Sequence, residues 1–209
     1  QILPAYEKVK NELNALKGTG VYESLADTEE GKAYYEALYY YKTGSSLTPS
    51  EMLVKGKERL TSVIQSYIQL MYSDSSLARR YERVDFGDEA PEVILKNYQE
   101  KLLKSFPAGP EVTYTAEYLD PSITNDATIA YYLIPPFDFI TDNVIKINPT
   151  ATSGDSVTLY STLAHEGFPG HCYQTTYYYN TNPHAIRTIV ENMGYTEGYA
   201  MYVEMYSFD

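Results

Sequence analysis

A proline–glycine pair, Pro169-Gly170, interrupts a part of the sequence that otherwise favours helix, and it lies between two histidines, His165 and His171. In a continuous α-helix these histidines would point about 120° apart, because six residues turn the helix by about 600°. Proline removes a helical hydrogen bond and clashes with the preceding turn, while glycine tolerates backbone angles that redirect the chain. The pair therefore predicts a break that brings His171 back toward His165. The alternative is a plain helix end, with His165 packed in the core and His171 opening the next helix.

The residues around this break are suited to binding a metal ion. Two of the three histidines in the chain lie within seven residues, beside a glutamate, Glu166. Neutral imidazoles are favoured ligands of Zn²⁺, and zinc hydrolases hold a general base next to the first of them. The single cysteine, Cys172, excludes a zinc site built from several thiolates. Any metal site must therefore use histidine and carboxylate.

A third ligand is expected from a carboxylate on a later helix, and Glu197 is the candidate. Helical spacing places Glu197, Met201 and Glu204 on one face, because residues four and seven apart return near the same angle. Glu204 would then lie either beside a metal ligand, as its hydrogen-bonding partner, or on the surface as a solvated charge. The solvated charge is the simpler interpretation.

Hydrophobic periodicity predicts a helical first half. Its clearest signal is Thr48-Pro49-Ser50-Glu51, a capping box with proline at the first helical position, and a second helix is expected to open at Pro91. Residues 1–107 are therefore expected to form a helical layer.

The second half is mixed. Short β-branched or tyrosine-rich segments bounded by turn residues predict two or three strands, at residues 112–119, 128–133 and 143–147. A helix capped by Asp155 or Ser156 is expected to run to Glu166, with later helices from about residues 171, 183 and 195. We expect an α+β fold, mainly helical, in which residues 108–209 form the layer that carries the metal site within one body.

Composition restricts the partners. The net charge of −12 at pH 7 repels phosphate backbones, so nucleic acid is excluded, and no apolar run is long enough to span a membrane. The chain contains 24 tyrosines and no tryptophan, a composition that favours amphipathic packing or recognition surfaces. The acidity and the single cysteine suit an exported or cell-envelope bacterial protein. The chain begins at Gln1 and ends within a predicted helix, so we expect residues 1–209 to be a single fragment of a larger domain.

Two motifs resemble a known family. His-Glu-Gly-Phe-Pro-Gly-His at residues 165–171, followed by Glu-Gly-Tyr-Ala-Met-Tyr-Val-Glu at 197–204, is similar to the bacterial family catalogued as domain of unknown function 885. Upstream segments such as Leu3-Pro4-Ala5-Tyr6 and Pro135-Pro136-Phe137-Asp138 are similar too, so the resemblance covers nearly the whole chain. The family is regarded as a zincin-like group of zinc metallopeptidases of the gluzincin kind.

The resemblance implies a zincin-like fold with a small sheet before the active-site helix. It implies one Zn²⁺ held by His165, His171 and Glu197, with Glu166 as the general base. Family members usually have tryptophan where this chain has Tyr199, an exchange between two large amphipathic rings. They are also much longer, and they share a later helical segment rich in Arg, Asp and His. A chain without that segment would hold the metal ligands and be inactive.

The function expected from these observations is a zinc-dependent hydrolase, acting on a peptide or another amide. Arg187 is a candidate for binding a substrate carboxylate or oxyanion, and a surface salt bridge is its alternative. The strand that contains Asn143 and Ile145 is a candidate edge for pairing with an extended peptide, and its alternative is the sheet interior. Cys172 as a nucleophile is the weakest candidate. The alternative function is a non-catalytic module that holds a metal or binds partners through tyrosine-rich surfaces.

Overall fold

The computed structural model describes residues 2–18, 24–86, 89–124, 128–150 and 156–208. The fold is α+β and mainly helical, with one small sheet, as predicted. The first half contains helices α1 (Ile2–Ala15), α2 (Glu29–Thr43), α3 (Pro49–Ser73), α4 (Leu77–Tyr81) and α5 (Pro91–Lys101). The second half contains strands β1 (Tyr114–Tyr118), β2 (Ala130–Leu133) and β3 (Asn143–Ile147), then helices α6 (Ser156–Glu166), α7 (His171–Asn180), α8 (Ile186–Ile189) and α9 (Met193–Tyr206).

Local signals explain where several helices begin. At the start of α3, the Thr48 hydroxyl accepts the Glu51 N–H at 3.2 Å, and the Glu51 carboxylate accepts the Thr48 N–H at 2.8 Å, which confirms the predicted capping box. The helix predicted from about residue 183 is the short α8, and the one predicted from about residue 195 begins at Met193, where Asn192 caps it. The proposed cap Asp155 lies outside the described residues.

The sheet has the order β1-β3-β2, with β3 parallel to β1 and antiparallel to β2. The prediction that the strand containing Asn143 and Ile145 is an edge for substrate is therefore wrong, because β3 is the central strand. Both side chains are buried, at 3% and 0% exposed. Asn143 accepts a hydrogen bond from the Tyr132 hydroxyl at 2.7 Å and donates one to the Thr113 carbonyl at 3.0 Å. Among the described strands, β2 has the edge that faces the later helices.

The core lies between this sheet and the helices that carry the site. One continuous cluster joins the sheet to α5, α6, α7 and α9, and its fully buried members include Leu95, Ile145, Leu163, Cys172 and Val203. Each large apolar side chain buried in this way contributes roughly 1.5–3 kcal/mol to folding. The helix that ends at His165 and Glu166 is thus fixed against the sheet along its inner face.

The helices differ from membrane-spanning segments. Within the described ranges, no helix combines the length and the apolar character that a bilayer crossing needs.

Cys172 provides a test of this core. Its side chain is fully buried, and burial raises the pKa of its thiol from 9.0 to about 12. We expect a thiol-reactive chromogenic disulfide to leave the native protein unmodified at pH 8 and to react at once after unfolding in guanidinium. Because the folded-state pKa is the higher one, the thiol favours the folded state below pH 9, and this contribution is lost as the pH rises toward 12. Rapid labelling of the native protein at pH 8 would contradict this packing.

Candidate metal centre

The turn between α6 and α7 brings the two histidines together. The Gly170 N–H donates to the carbonyl oxygen of Ala164, six residues back, at 3.0 Å, and the Tyr173 N–H donates to Gly167 at 3.2 Å. The chain therefore folds back on the end of α6 instead of leaving it. The imidazole centroids of His165 and His171 lie 4.6 Å apart with the rings nearly perpendicular, at 87°. The break has the effect predicted from the Pro-Gly pair.

Glycine is required at position 170 for its size. A Cβ there would overlap the carbonyl oxygens of His165 and Ala164, against which the backbone packs. The backbone angles of Gly170, φ −77° and ψ −136°, also lie outside the helical and extended regions, in line with the tolerance of unusual angles expected from the sequence. The Tyr199 hydroxyl, from α9, donates to the Pro169 carbonyl at 2.8 Å and ties the turn to that helix.

Three side chains converge at this turn. Glu197 Oε2, from the first turns of α9, lies 3.5 Å from His165 Nε2 and 3.6 Å from His171 Nε2. The three ligand atoms all lie within 4.8 Å of one another. Tetrahedral coordination with bonds of about 2.0–2.1 Å separates neighbouring ligand atoms by about 3.4 Å. The donor set and its spacing therefore fit one zinc ion.

Glu204 fixes the orientation of His165. It lies two helical turns after Glu197 on α9, and its Oε1 is 2.5 Å from His165 Nδ1. A carboxylate only accepts, so the shared proton belongs to Nδ1, and Nε2 presents a lone pair to the cluster. The structure supports the hydrogen-bonding interpretation of Glu204 and not the solvated charge. Its seven-residue spacing from Glu197 was the sequence signal for this role.

The side chain of Glu166 lies beside the cluster of His165, His171 and Glu197 and is only 13% exposed. Its Oε2 accepts the backbone N–H of Tyr132, from the edge strand β2, at 2.8 Å, while its Oε1 lies 3.9 Å from His165 Nε2. Burial raises the pKa of Glu166, against the lowering effects of the Tyr132 hydrogen bond and of His165, and the nearby Glu197 and Glu204 raise it further. The sequence carried no signal for the contact with Tyr132, because it joins residues 34 positions apart.

His171 is kept neutral by its surroundings. Burial lowers its pKa, and the neighbouring His165 lowers it again, while Glu197 acts in the opposite direction. Because a metal binds the unprotonated imidazole, this lowered pKa keeps the ligand form populated to more acidic pH than for a free histidine.

The remaining predicted site residue lies elsewhere. Arg187 is exposed on α8, and no ion pair among the described residues joins it to a carboxylate. Its role in binding a substrate carboxylate or oxyanion therefore remains a prediction from the sequence.

The similarity to known proteins extends over the whole chain. The model of a family described as bacterial protein of unknown function (DUF885) matches residues 1–209. The chain belongs to this family. No curated protein matches this family member. A solved structure described as the putative lipoprotein from Colwellia psychrerythraea is similar in fold, with 18% identity and a TM-score of 0.78. That match covers 99% of this family member and 39% of the lipoprotein chain, so the 209 residues span about two-fifths of it.

The size requirement at Gly170 can be tested against a glycine in open space. We expect Gly170→Ala to lower the free energy of unfolding by about 1–3 kcal/mol and to weaken zinc binding, because the new methyl group forces the turn apart. At Gly56, within α3, a methyl group would meet no atom within 4 Å, so Gly56→Ala should stabilise the protein by about 0.5–1 kcal/mol. Chemical denaturation and zinc titration measure both effects. Equal behaviour of the two variants would contradict the proposed close approach.

The contact between Glu204 and His165 gives a second test. Glu204→Ala leaves Nδ1 without its acceptor, so we expect zinc affinity to fall about 10–100-fold, and Glu204→Gln, which keeps an acceptor oxygen, to lose less. The exposed Glu100 on α5 provides the control Glu100→Ala, with unchanged affinity. Competition with a chromophoric chelator measures the dissociation constants. An unchanged constant in Glu204→Ala would remove Glu204 from the site.

Proposed function

We propose that the protein is a zinc-dependent hydrolase of peptide or other amide bonds, of the gluzincin kind, in which Glu166 is the general base. The observation that carries this proposal is the convergence of His165, His171 and Glu197 at spacings suited to one ion, beside a buried carboxylate. When bound, Zn²⁺ would supply Lewis acidity, which polarises a carbonyl group and lowers the pKa of water.

The number of protein donors favours a catalytic centre over a closed structural one. Structural zinc sites are filled by four protein ligands, whereas catalytic sites use three and keep one position for water or substrate. The cluster in the described part of the chain offers three, from α6, α7 and α9. This count supports hydrolysis over the alternative of a non-catalytic metal-holding module.

Glu166 has the properties of a general base. The Tyr132 N–H fixes Oε2, so Oε1 is the oxygen left facing the imidazoles. Burial raises its pKa, which makes the carboxylate a better proton acceptor than an exposed glutamate. In this role Glu166 takes a proton from the attacking water and returns it to the leaving amine.

A peptide substrate is proposed to lie along the edge of β2. The Tyr132 N–H points away from β3 and toward Glu166, so this edge of the sheet lies along the cluster. An extended peptide that adds to a sheet edge is held by its main chain, which would present successive amide bonds to Glu166. This is the role that the sequence had assigned to β3.

We also propose an exported or cell-envelope location. The description of the structurally similar protein as a lipoprotein is in line with it, and so is the acidic composition with a single cysteine. A peptide is the proposed partner, and nucleic acid is not, because the net charge of −12 repels phosphate.

The test separates metal binding from proton transfer. In the complete natural protein, Glu166→Gln should reduce cleavage of a defined peptide library about 10²–10⁴-fold while one zinc per chain is retained, because only the base is removed. His165→Ala should lose both zinc and cleavage. Glu100→Gln is the matched surface control. Mass spectrometry of the peptides and elemental analysis of the protein provide the two measurements.

Two results would contradict the proposal in different ways. Wild-type cleavage by Glu166→Gln would remove this residue as the base. Stoichiometric zinc without cleavage of any peptide, amide or ester would favour the non-catalytic module.

A further inference from the structure

Helix α3 carries an apolar stripe that the described residues leave open. Large apolar side chains recur along its second half at spacings of four, three and four residues: Leu60, Ile64, Tyr67 and Met71. This spacing puts them on one face of the helix. Leu60, Ile64 and Tyr67 are 60%, 48% and 61% exposed, and no residue of α3, which the structure describes throughout, is buried. Helices with such a stripe bury it against another element, so the exposure indicates a partner.

The opposite face of α3 is polar. Ser62, Ser66 and Gln69 recur at spacings of four and three residues, about half a turn of the helix away from the stripe. The contrast between the two faces shows that the stripe is a directed surface and not a general excess of apolar residues. A helix of 25 residues also gains most of its stability from the packing of its apolar face.

The stripe continues into a groove between the end of α3 and α4. The groove has a volume of about 780 Å³, and its lining includes Tyr67 and Met71 from the stripe and Leu77, Tyr81 and Val84 from α4 and the residues after it. Packed helices insert the side chains of one into the grooves of the other. The groove therefore extends the stripe into a surface shaped for the side chains of an added helix.

Helix α1 does not cover this surface. It carries a stripe of its own, in which Tyr6, Val9 and Leu13 recur at spacings of three and four residues, and all three side chains are exposed. No residue of α1, which the structure describes in full, is buried. The two stripes are therefore both open, and a partner for α3 has to come from outside the described residues.

The structurally similar lipoprotein indicates the source of that partner. About three-fifths of its chain lies outside the match with this fold. A segment of the same polypeptide is held near the surface by its covalent connection, so its effective concentration there exceeds that of a separate protein. Further chain of the same polypeptide is therefore the occupant that the comparison favours.

We propose that the stripe of α3 and the adjoining groove are the docking site of an amphipathic helix from the part of the same polypeptide that lies outside residues 1–209. Spacings of four and three residues are those at which helices interlock side by side, with each apolar side chain inserted between those of the partner. Tyr67 and Met71, which the stripe and the groove share, lie at the centre of this contact. A lipid surface fits less well, because anionic headgroups repel a net charge of −12. The proposal depends on neither zinc binding nor hydrolysis.

The first test measures whether the stripe is covered in the complete natural protein. Ile64→Cys and Ser62→Cys place a thiol on the two faces of the same part of α3, and both original side chains are exposed in the present fold. We expect a maleimide to label Ile64→Cys about 100-fold more slowly than Ser62→Cys, because the docked helix must first open. Peptide mass spectrometry measures the labelling at each position.

The second test identifies the partner. A photo-reactive phenylalanine analogue replaces Tyr67, whose ring it resembles, or, as the control, Gln69 on the polar face. We expect illumination of the Tyr67 variant to give a product with the mass of one chain, whose cross-link maps by mass spectrometry to a residue outside 1–209. The control variant should form no cross-link to that segment.

Four results would overturn the proposal. Equal labelling rates of the two thiols would show that the stripe stays open in the complete protein. Cross-links from position 67 to residues within 1–209, such as those of α1, would make the partner part of the present fold, and cross-linked dimers would make it a second copy. Protection of the Ile64→Cys thiol only after addition of phosphatidylcholine–phosphatidylglycerol vesicles would make it a membrane surface.

Discussion

The hydrogen bond from the Gly170 N–H to the Ala164 carbonyl closes the turn between α6 and α7, and the positions of both imidazoles depend on it. Without it, His171 would leave along a new direction, and His165 would face no second imidazole. The core fixes one side of this turn through Leu163 and its neighbours, and Tyr199 fixes the other. The closed backbone turn therefore positions the two imidazoles, and the chemistry of the site depends on that position.

Helix α9 supplies both a candidate ligand and the partner of another. Glu197 faces the two Nε2 atoms, and Glu204 holds His165 from behind, so one rigid element sets two contacts. Together with Glu166 they place three carboxylates around two imidazoles. Burial is the main cause of the raised pKa of Glu166, and the nearby charges of Glu197 and Glu204 raise it further. A cation bound between these carboxylates would reduce their mutual repulsion.

Local features of the sequence predicted local structure well. The strand at 143–147 and the end of α6 at Glu166 have the predicted bounds, because turn residues border them on the sequence itself. The place of β3 in the sheet was missed, since strand order depends on pairings between distant segments. For the same reason helical spacing could place Glu204 on the right face without naming His165 as its partner. The contact of Glu166 with Tyr132 had to come from the fold.

The closed turn also affects how related proteins are found. Searches of genomes for metal-dependent enzymes commonly look for paired histidines one helical turn apart, and such a filter discards a chain in which they are six residues apart. Here Gly170 packs against the carbonyl oxygens of Ala164 and His165, and this close turn brings the two imidazoles together despite the longer spacing. A search of structures for three donor atoms at metal-binding distances would therefore retrieve such chains. Sequence patterns with a fixed histidine spacing miss them.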